Sequence, residues 1–198
     1  MPQTILQELL SEFLEDLPLM LAAGLIYWFV RRHIHKKRFG GDFKEVRRKS
    51  RLNEIIGLLL VMWAALVAGS TLLPPLGGFI RHPGIFISFP PHWRLVPEIF
   101  KYGYIYKSHS LLNVLMFAPI GLALPFMEKS PKFGRTVLVG FCFTFALEYL
   151  QGFSNQRDGN IDDVISNTLG VMAGWLLYLL MKLILPKFTA KCMVKPEL

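Results

Sequence analysis

The sequence predicts an all-α protein: a polytopic membrane helical bundle of about five transmembrane helices, with an interfacial or re-entrant loop before the third. Three observations lead there. Of the 198 residues 53% are hydrophobic and only 18% charged, below the ~25% charged share usual for soluble domains. The apolar residues come in long runs separated by short charged stretches, the pattern of a multi-span protein. Most of these runs have no polar face, which a helix on a soluble core needs. The length suits one domain. Its first stretch, 1–52, holds an amphipathic helix, a first span and a basic loop. The rest, 53–198, is the membrane domain, with its core at 94–185.

Residues Thr4 to Leu17 read as an amphipathic helix, with Leu6, Leu9, Leu10, Phe13, Leu14 and Leu17 at helical spacing. Thr4 and Gln7 have the spacing of a capping box. Asp16 and Pro18 predict a restart, and the apolar run to Val30 is a short first span. Arg31 to Arg51 carries 10 Lys and Arg, the mark of a cytoplasmic anchor that also touches anionic lipid. Ile55 to Leu73 is a second span free of charge, with Pro74, Pro75, Gly77 and Gly78 predicted to stop it. Gly78 to Ser108 is rich in aromatics and prolines and suits the membrane–water boundary.

Leu111 to Met127 is the third span. His109, Asn113, Phe117 and Gly121 share one face, and Pro119 and Pro125 should bend it or end its regular bonding. Thr136 to Leu150 is the fourth, with Glu148 and Gln151 on one face. Asp163 to Leu185 is the fifth. Asp163, Asn167, Gly170 and Gly174 form one stripe along it, polar first and then small, and small residues let membrane helices approach closely.

Of the 22 Lys and Arg, 17 fall in the basic loop, the short loop after the third span and the C-terminal end. The positive-inside rule then places the N-terminus outside and the C-terminus in the cytoplasm. A formal charge of +8 can signal nucleic acid, but these cations cluster beside apolar spans, so topology accounts for them and no nucleic-acid partner is expected. Cys142 and Cys192 lie in different settings and are not expected to pair. No CxxC, HExxH, phosphate loop or dinucleotide turn is present.

The densest cluster of charged and amide groups runs from Glu148 to Gly174. Ionisable groups at membrane depth are costly and usually paired or functional. The structural alternatives are specific. Asp162 stands where a helix N-cap belongs. Asn167 can bond across to Asn113 or Gln151. Arg157 is the cation nearest Glu148 in sequence. The functional alternative brings Arg94, Asn113, Glu148, Gln151, Arg157, Asp162, Asp163 and Asn167 together at the outer face as a ligand site. Glu148, Asp162 and Asp163 would supply oxygens for a divalent cation. Glu148 or Asp163 would otherwise serve as a general base. No other cofactor is indicated.

Several of these residues form a recognisable series. Arg-Leu-Val-Pro at 94–97 is followed by N-x-x-x-F-x-P-x-G-x-x-x-P from Asn113 to Pro125. Then come E-x-x-Q at Glu148 and R-x-x-x-x-D-D-x-x-x-N-x-x-G-x-x-x-G from Arg157 to Gly174. In these motifs the chain resembles the VanZ-like membrane proteins of bacteria, a family named after a teicoplanin-resistance protein. The family pattern often has an Asn where Arg94 stands. The resemblance implies an integral protein of the bacterial cell membrane that affects glycopeptide (teicoplanin) susceptibility. It would do so by binding or shielding an outer-leaflet lipid or cell-envelope component, with a cell-wall precursor or another anionic lipid as partner. The alternative is an intramembrane enzyme acting on a lipid or polyprenyl phosphate headgroup. The sequence leaves open whether it catalyses anything.

Overall fold

In the computed structural model, residues 5–39, 50–81, 91–95, 104–153 and 158–193 are described. Arg157, Thr4, residues 40–49 of the basic loop and most of the aromatic connection lie outside them. The chain is helical. Helix α1 is Ile5–Phe39, α2 Arg51–Arg81, α3 Tyr104–Ala123, α4 Phe133–Gln151, α5 Ile161–Ile184 and α6 Pro186–Cys192. A 3-10 turn, Leu124–Met127, follows α3. Two short strands, β1 (Trp93–Arg94) and β2 (Gly159–Asn160), pair in parallel.

Four segments are long and apolar enough to cross a membrane: Arg51–Leu72, Ser110–Met127, Phe133–Gln151 and Ile161–Ile184. They coincide with the second to fifth expected spans. The first apolar run is part of α1 and is not among those four. Their outward surfaces are apolar, as in Leu111, Leu112 and Leu115 of α3, Leu138 and Phe141 of α4, and Leu176, Leu180 and Leu183 of α5. A surface of that kind is stable against lipid tails and not against water.

Two proline expectations are corrected. Pro18 does not restart a helix, because α1 runs through it. Pro74 and Pro75 do not stop α2, which continues to Arg81. Pro125 does end regular bonding, since it stands second in the 3-10 turn, whereas Pro119 lies within α3. An interior proline removes a single N–H bond. In an apolar setting, leaving the helix would strand many more peptide groups.

The described residues group into two compact units. The first takes in 1–70, 123–131 and 181–198. Its tie is Asn53, which is buried and donates from Nδ2 to the carbonyls of Phe126 (2.6 Å) and Cys192 (3.2 Å). Nearby, His35 Nδ1 meets Glu54 Oε1 at 3.1 Å. Replacing Asn53 by Ala leaves two buried carbonyls without that donor. The expected loss is about 1–3 kcal/mol, measurable as a lower midpoint in thermal unfolding of the purified protein. An unchanged midpoint would mean that Asn53 ties nothing together.

The second unit takes in 71–122 and 132–180. Helices α3 and α5 pack in it backbone to backbone. A Cβ on Gly170 would meet the Val114 carbonyl, one on Gly174 the Ala118 carbonyl, and one on Gly121 the Val171 carbonyl. The small stripe read on α5 is therefore the contact with α3. Gly140 of α4 lies against the Val171 side chain. Phe117, Val164 and Val171 fill the interior.

Candidate functional site

The polar residues of the second unit collect around one cavity of about 390 Å³, within the usual range for small-molecule sites, roughly 300–1,000 Å³. Each wall comes from a stripe of helical spacing. Helix α3 supplies Asn113, Met116 and Phe117, α4 supplies Leu147, Glu148 and Gln151, and α5 supplies Asp163 and Asn167. Thr71 of α2 closes one side. Arg94, Asp158 and Asn160 come from the two strands and the residue before β2.

The strand pair holds that last group in place. Trp93 pairs with Gly159 and Arg94 with Asn160. The His92 amide donates to the Gly152 carbonyl at 2.7 Å, and the Gly159 amide to the His92 carbonyl at 3.0 Å. The Trp93 ring lies beside Phe145 and Tyr149, with centroids 5.7 and 6.5 Å away. A Cβ on Gly159 would sit 2.7 Å from the Glu148 carbonyl and 3.0 Å from the Trp93 ring. Only glycine permits that approach. Arg94 Nε then donates to Asp158 Oδ2 at 2.9 Å, from a side chain 66% exposed. His92 Nδ1 lies 4.0 Å from the other Asp158 oxygen.

Deeper in, hydrogen bonds fix the wall. Asn113 Nδ2 donates to Asp163 Oδ1 at 2.8 Å. The Asn160 amide donates to Glu148 Oε2 at 3.0 Å. Gln151 Nε2 donates to the Thr71 carbonyl at 3.2 Å. Asn167 Nδ2 donates to Thr144 Oγ1 at 2.8 Å. Asn167 is only 3% exposed, and its Oδ1 has no hydrogen-bond partner among the described residues. A buried acceptor without a donor costs about 1–3 kcal/mol.

Of the eight residues expected at a site, six line the cavity: Arg94, Asn113, Glu148, Gln151, Asp163 and Asn167. Arg157 lies outside the described residues, and with it the Glu148–Arg157 pair. Asp162 is buried in the first turn of α5 but does not line the cavity. It is not the cap either: Asn160 Oδ1 accepts from the Asp162 amide at 3.1 Å, so Asn160 caps α5. The partner of Asn167 is Thr144 rather than Asn113 or Gln151. Among the described residues, no three His, Cys, Asp or Glu side chains converge in a way that could hold a metal ion. Asp158, Asn160 and Thr144 are not singled out by the sequence reading. The buried face of α4, Gly140, Thr144, Glu148 and Gln151, carries a spacing that would have reached Thr144.

The cap gives a direct test. Asn160→Ala is expected to cost about 0.5–2 kcal/mol, whereas Asn160→Ser keeps most of the stability. Thermal unfolding of the two variants decides it, and equal midpoints would remove the cap. The Ser and Thr hydroxyls of α5 are committed to the helix. Ser166 Oγ donates to the Asp162 carbonyl at 2.7 Å and Thr168 Oγ1 to the Val164 carbonyl at 2.7 Å. In the other unit, burial pushes the Cys192 thiol up against the opposing pull of Lys191, as for a structural rather than a reactive cysteine.

The fold and site define a multi-pass membrane protein whose polar side chains surround a cavity between apolar helices. The chain belongs to the VanZ/LLP1 family, whose model matches residues 58–182. That match takes in every residue lining the cavity. No curated protein and no solved structure matches the chain.

Proposed function

We propose that the protein binds or shields a lipid or another envelope component of the outer leaflet in the α3–α4–α5 cavity, and that this changes glycopeptide access. The observation that supports it is the cavity's wall: buried polar side chains around about 390 Å³, among them an Asn167 oxygen without a donor. Arg94 of the lining is exposed, and the helices that form the cavity carry apolar outward surfaces. A headgroup with attached acyl or polyprenyl chains presents the same division of polar and apolar parts. The teicoplanin component of this reading comes from the family's namesake.

The orientation belongs to the same reading. The basic segment before α2 and the Lys-rich C-terminal end face the cytoplasm, and the cavity faces outward. Helix α1 crosses as a first span, with the N-terminus outside. From Leu14 to Ile34 it exposes Leu21, Leu25, Ile26, Phe29 and Val30, over about 30 Å at 1.5 Å per residue, the thickness of a hydrocarbon core. Cysteines placed singly at Asn160 and Lys44, with both native cysteines replaced, test this. An impermeant thiol reagent applied to intact cells should label the first and not the second. The opposite pattern would put the cavity on the cytoplasmic side.

The binding itself is tested by extracting and identifying lipids that copurify with the protein, alongside teicoplanin susceptibility of a host with and without it. Enrichment of one headgroup class together with altered susceptibility is the expected result. Bulk lipid composition in the extract and unaltered susceptibility would overturn the proposal.

A further inference from the structure

Two side chains of the cavity lining stand next to each other on the strand pair. Arg94 of β1 and Asn160 of β2 are partners in the parallel register, and both line the cavity. Paired strands lie about 4.8 Å apart, so side chains on one face of the ladder are neighbours. Each carries N–H donors beyond those its own contacts use. Arg94 meets Asp158 through Nε, and among the described residues its two Nη groups meet no acceptor. Asn160 gives its backbone amide to Glu148 and accepts at Oδ1 from the Asp162 amide. Its Nδ2 meets no acceptor among the described residues. The bond at Nε anchors the guanidinium and leaves the Nη1–Nη2 edge, a fork that matches two oxygens of a phosphate. Asp158 offsets part of the guanidinium charge, so the pair offers a set of placed donors rather than a bare cation.

Resting on the headgroup-binding reading above, we infer that Arg94 and Asn160 form a subsite for the phosphate of a lipid headgroup. The Arg94 fork takes two phosphate oxygens, and the Asn160 carboxamide takes a further one. A carboxylate has two oxygens, which the fork alone satisfies, and a neutral lipid brings no oxyanion at all. The apolar surface that chains need begins one residue away. Trp93 lies beside Phe145 and Tyr149. Phe141, Phe145 and Tyr149 are exposed on α4 and stack in turn, with centroids 6.0 and 6.3 Å apart. From Phe141 to Tyr149 the helix rises about 12 Å, against roughly 15 Å for the hydrocarbon of one leaflet. This aromatic ridge beside the fork favours a lipid phosphate over a free one.

The test uses the full chain in detergent, titrated calorimetrically with short-chain phosphatidic acid, the matching diacylglycerol and inorganic phosphate. The two lipids differ only in the phosphate. Phosphatidic acid should bind at least about tenfold more tightly than the diacylglycerol, the order expected for one or two charge-assisted bonds, and more tightly than inorganic phosphate. Arg94→Lys keeps the charge and loses the fork, so it should weaken phosphatidic acid about tenfold. Asn160→Ser keeps a cap residue for α5 and loses the carboxamide donors, so it should weaken phosphatidic acid about three- to tenfold. Diacylglycerol binding should be unchanged in both variants. Equal binding of the two lipids to the native chain would overturn the phosphate subsite and leave the headgroup-binding reading standing. If neither lipid binds, both fall. Inorganic phosphate binding as tightly as phosphatidic acid would overturn the lipid as the source of the phosphate. Full affinity for phosphatidic acid in both variants would overturn the assignment to Arg94 and Asn160. The comparison of the three probes needs only the native chain, so poor folding of a variant leaves it decisive.

Discussion

Gly174→Leu is expected to leave little folded protein. A Cβ alone at this position would meet the Ala118 carbonyl, with the Leu122 amide nitrogen at 2.7 Å and the Gly121 Cα at 2.9 Å. These are backbone atoms of α3 and cannot rotate away as a side-chain tip can. Even Gly174→Ala must therefore move one helix against the other, and overpacking of that kind costs about 1–3 kcal/mol. Leucine adds three more carbons to the same gap. Against a total stability on the order of 5–15 kcal/mol, the larger substitution should abolish monodisperse yield and the smaller should lower the unfolding midpoint. Gly170→Ala should resemble Gly174→Ala, because its Cβ meets the Val114 carbonyl, with the Phe117 Cβ at 3.0 Å. Gly134→Ala is the control, since nothing lies within 4 Å of the added carbon. Normal yield and melting for Gly174→Leu would place this face of α5 against lipid instead of α3.

That stripe is legible in the sequence, because helical spacing alone puts Asp163, Asn167, Gly170 and Gly174 on one side of α5. The same holds for Asn113, Phe117 and Gly121 on α3, and the two stripes meet at Asn113–Asp163 and at the glycines. The β1–β2 pair is not legible. Two residues have no periodicity, and pairing between segments so far apart in sequence leaves no local trace. Without it, nothing in the sequence shows how Arg94 and Asp158 reach the cavity. The cap is misplaced for a different reason. Asn160 and Asp162 are both good cap residues, so residue type does not choose between them, and the start of α5 at Ile161 does. The prolines after Leu73 mislead because propensity measured in water ignores the cost of open peptide groups in an apolar setting.

Asn167→Asp should be far more damaging than its size suggests. The two side chains have nearly the same volume, so packing is conserved and the change is one of hydrogen-bonding type and charge. Aspartate cannot give the hydrogen that Asn167 Nδ2 now gives to Thr144 Oγ1. It also places a carboxylate at a position 3% exposed, in a wall already holding Glu148 and Asp163. An unpaired buried charge is expensive, and stranding one typically costs about 3–5 kcal/mol. Asn167→Ala removes the same donor together with the unpartnered oxygen, so its two effects oppose: one buried bond is lost, and one unmet acceptor disappears. Its expected net change is within about 1–2 kcal/mol. The order of unfolding midpoints should therefore be native, then Asn167→Ala, then Asn167→Asp by a wide margin. Binding at the cavity should weaken in the alanine variant while its fold survives, because a polar side chain of the lining is gone. If alanine and aspartate destabilise equally, Asn167 contributes only its bond to Thr144. If the alanine variant binds as the native chain does, Asn167 serves the packing of the wall and not the ligand.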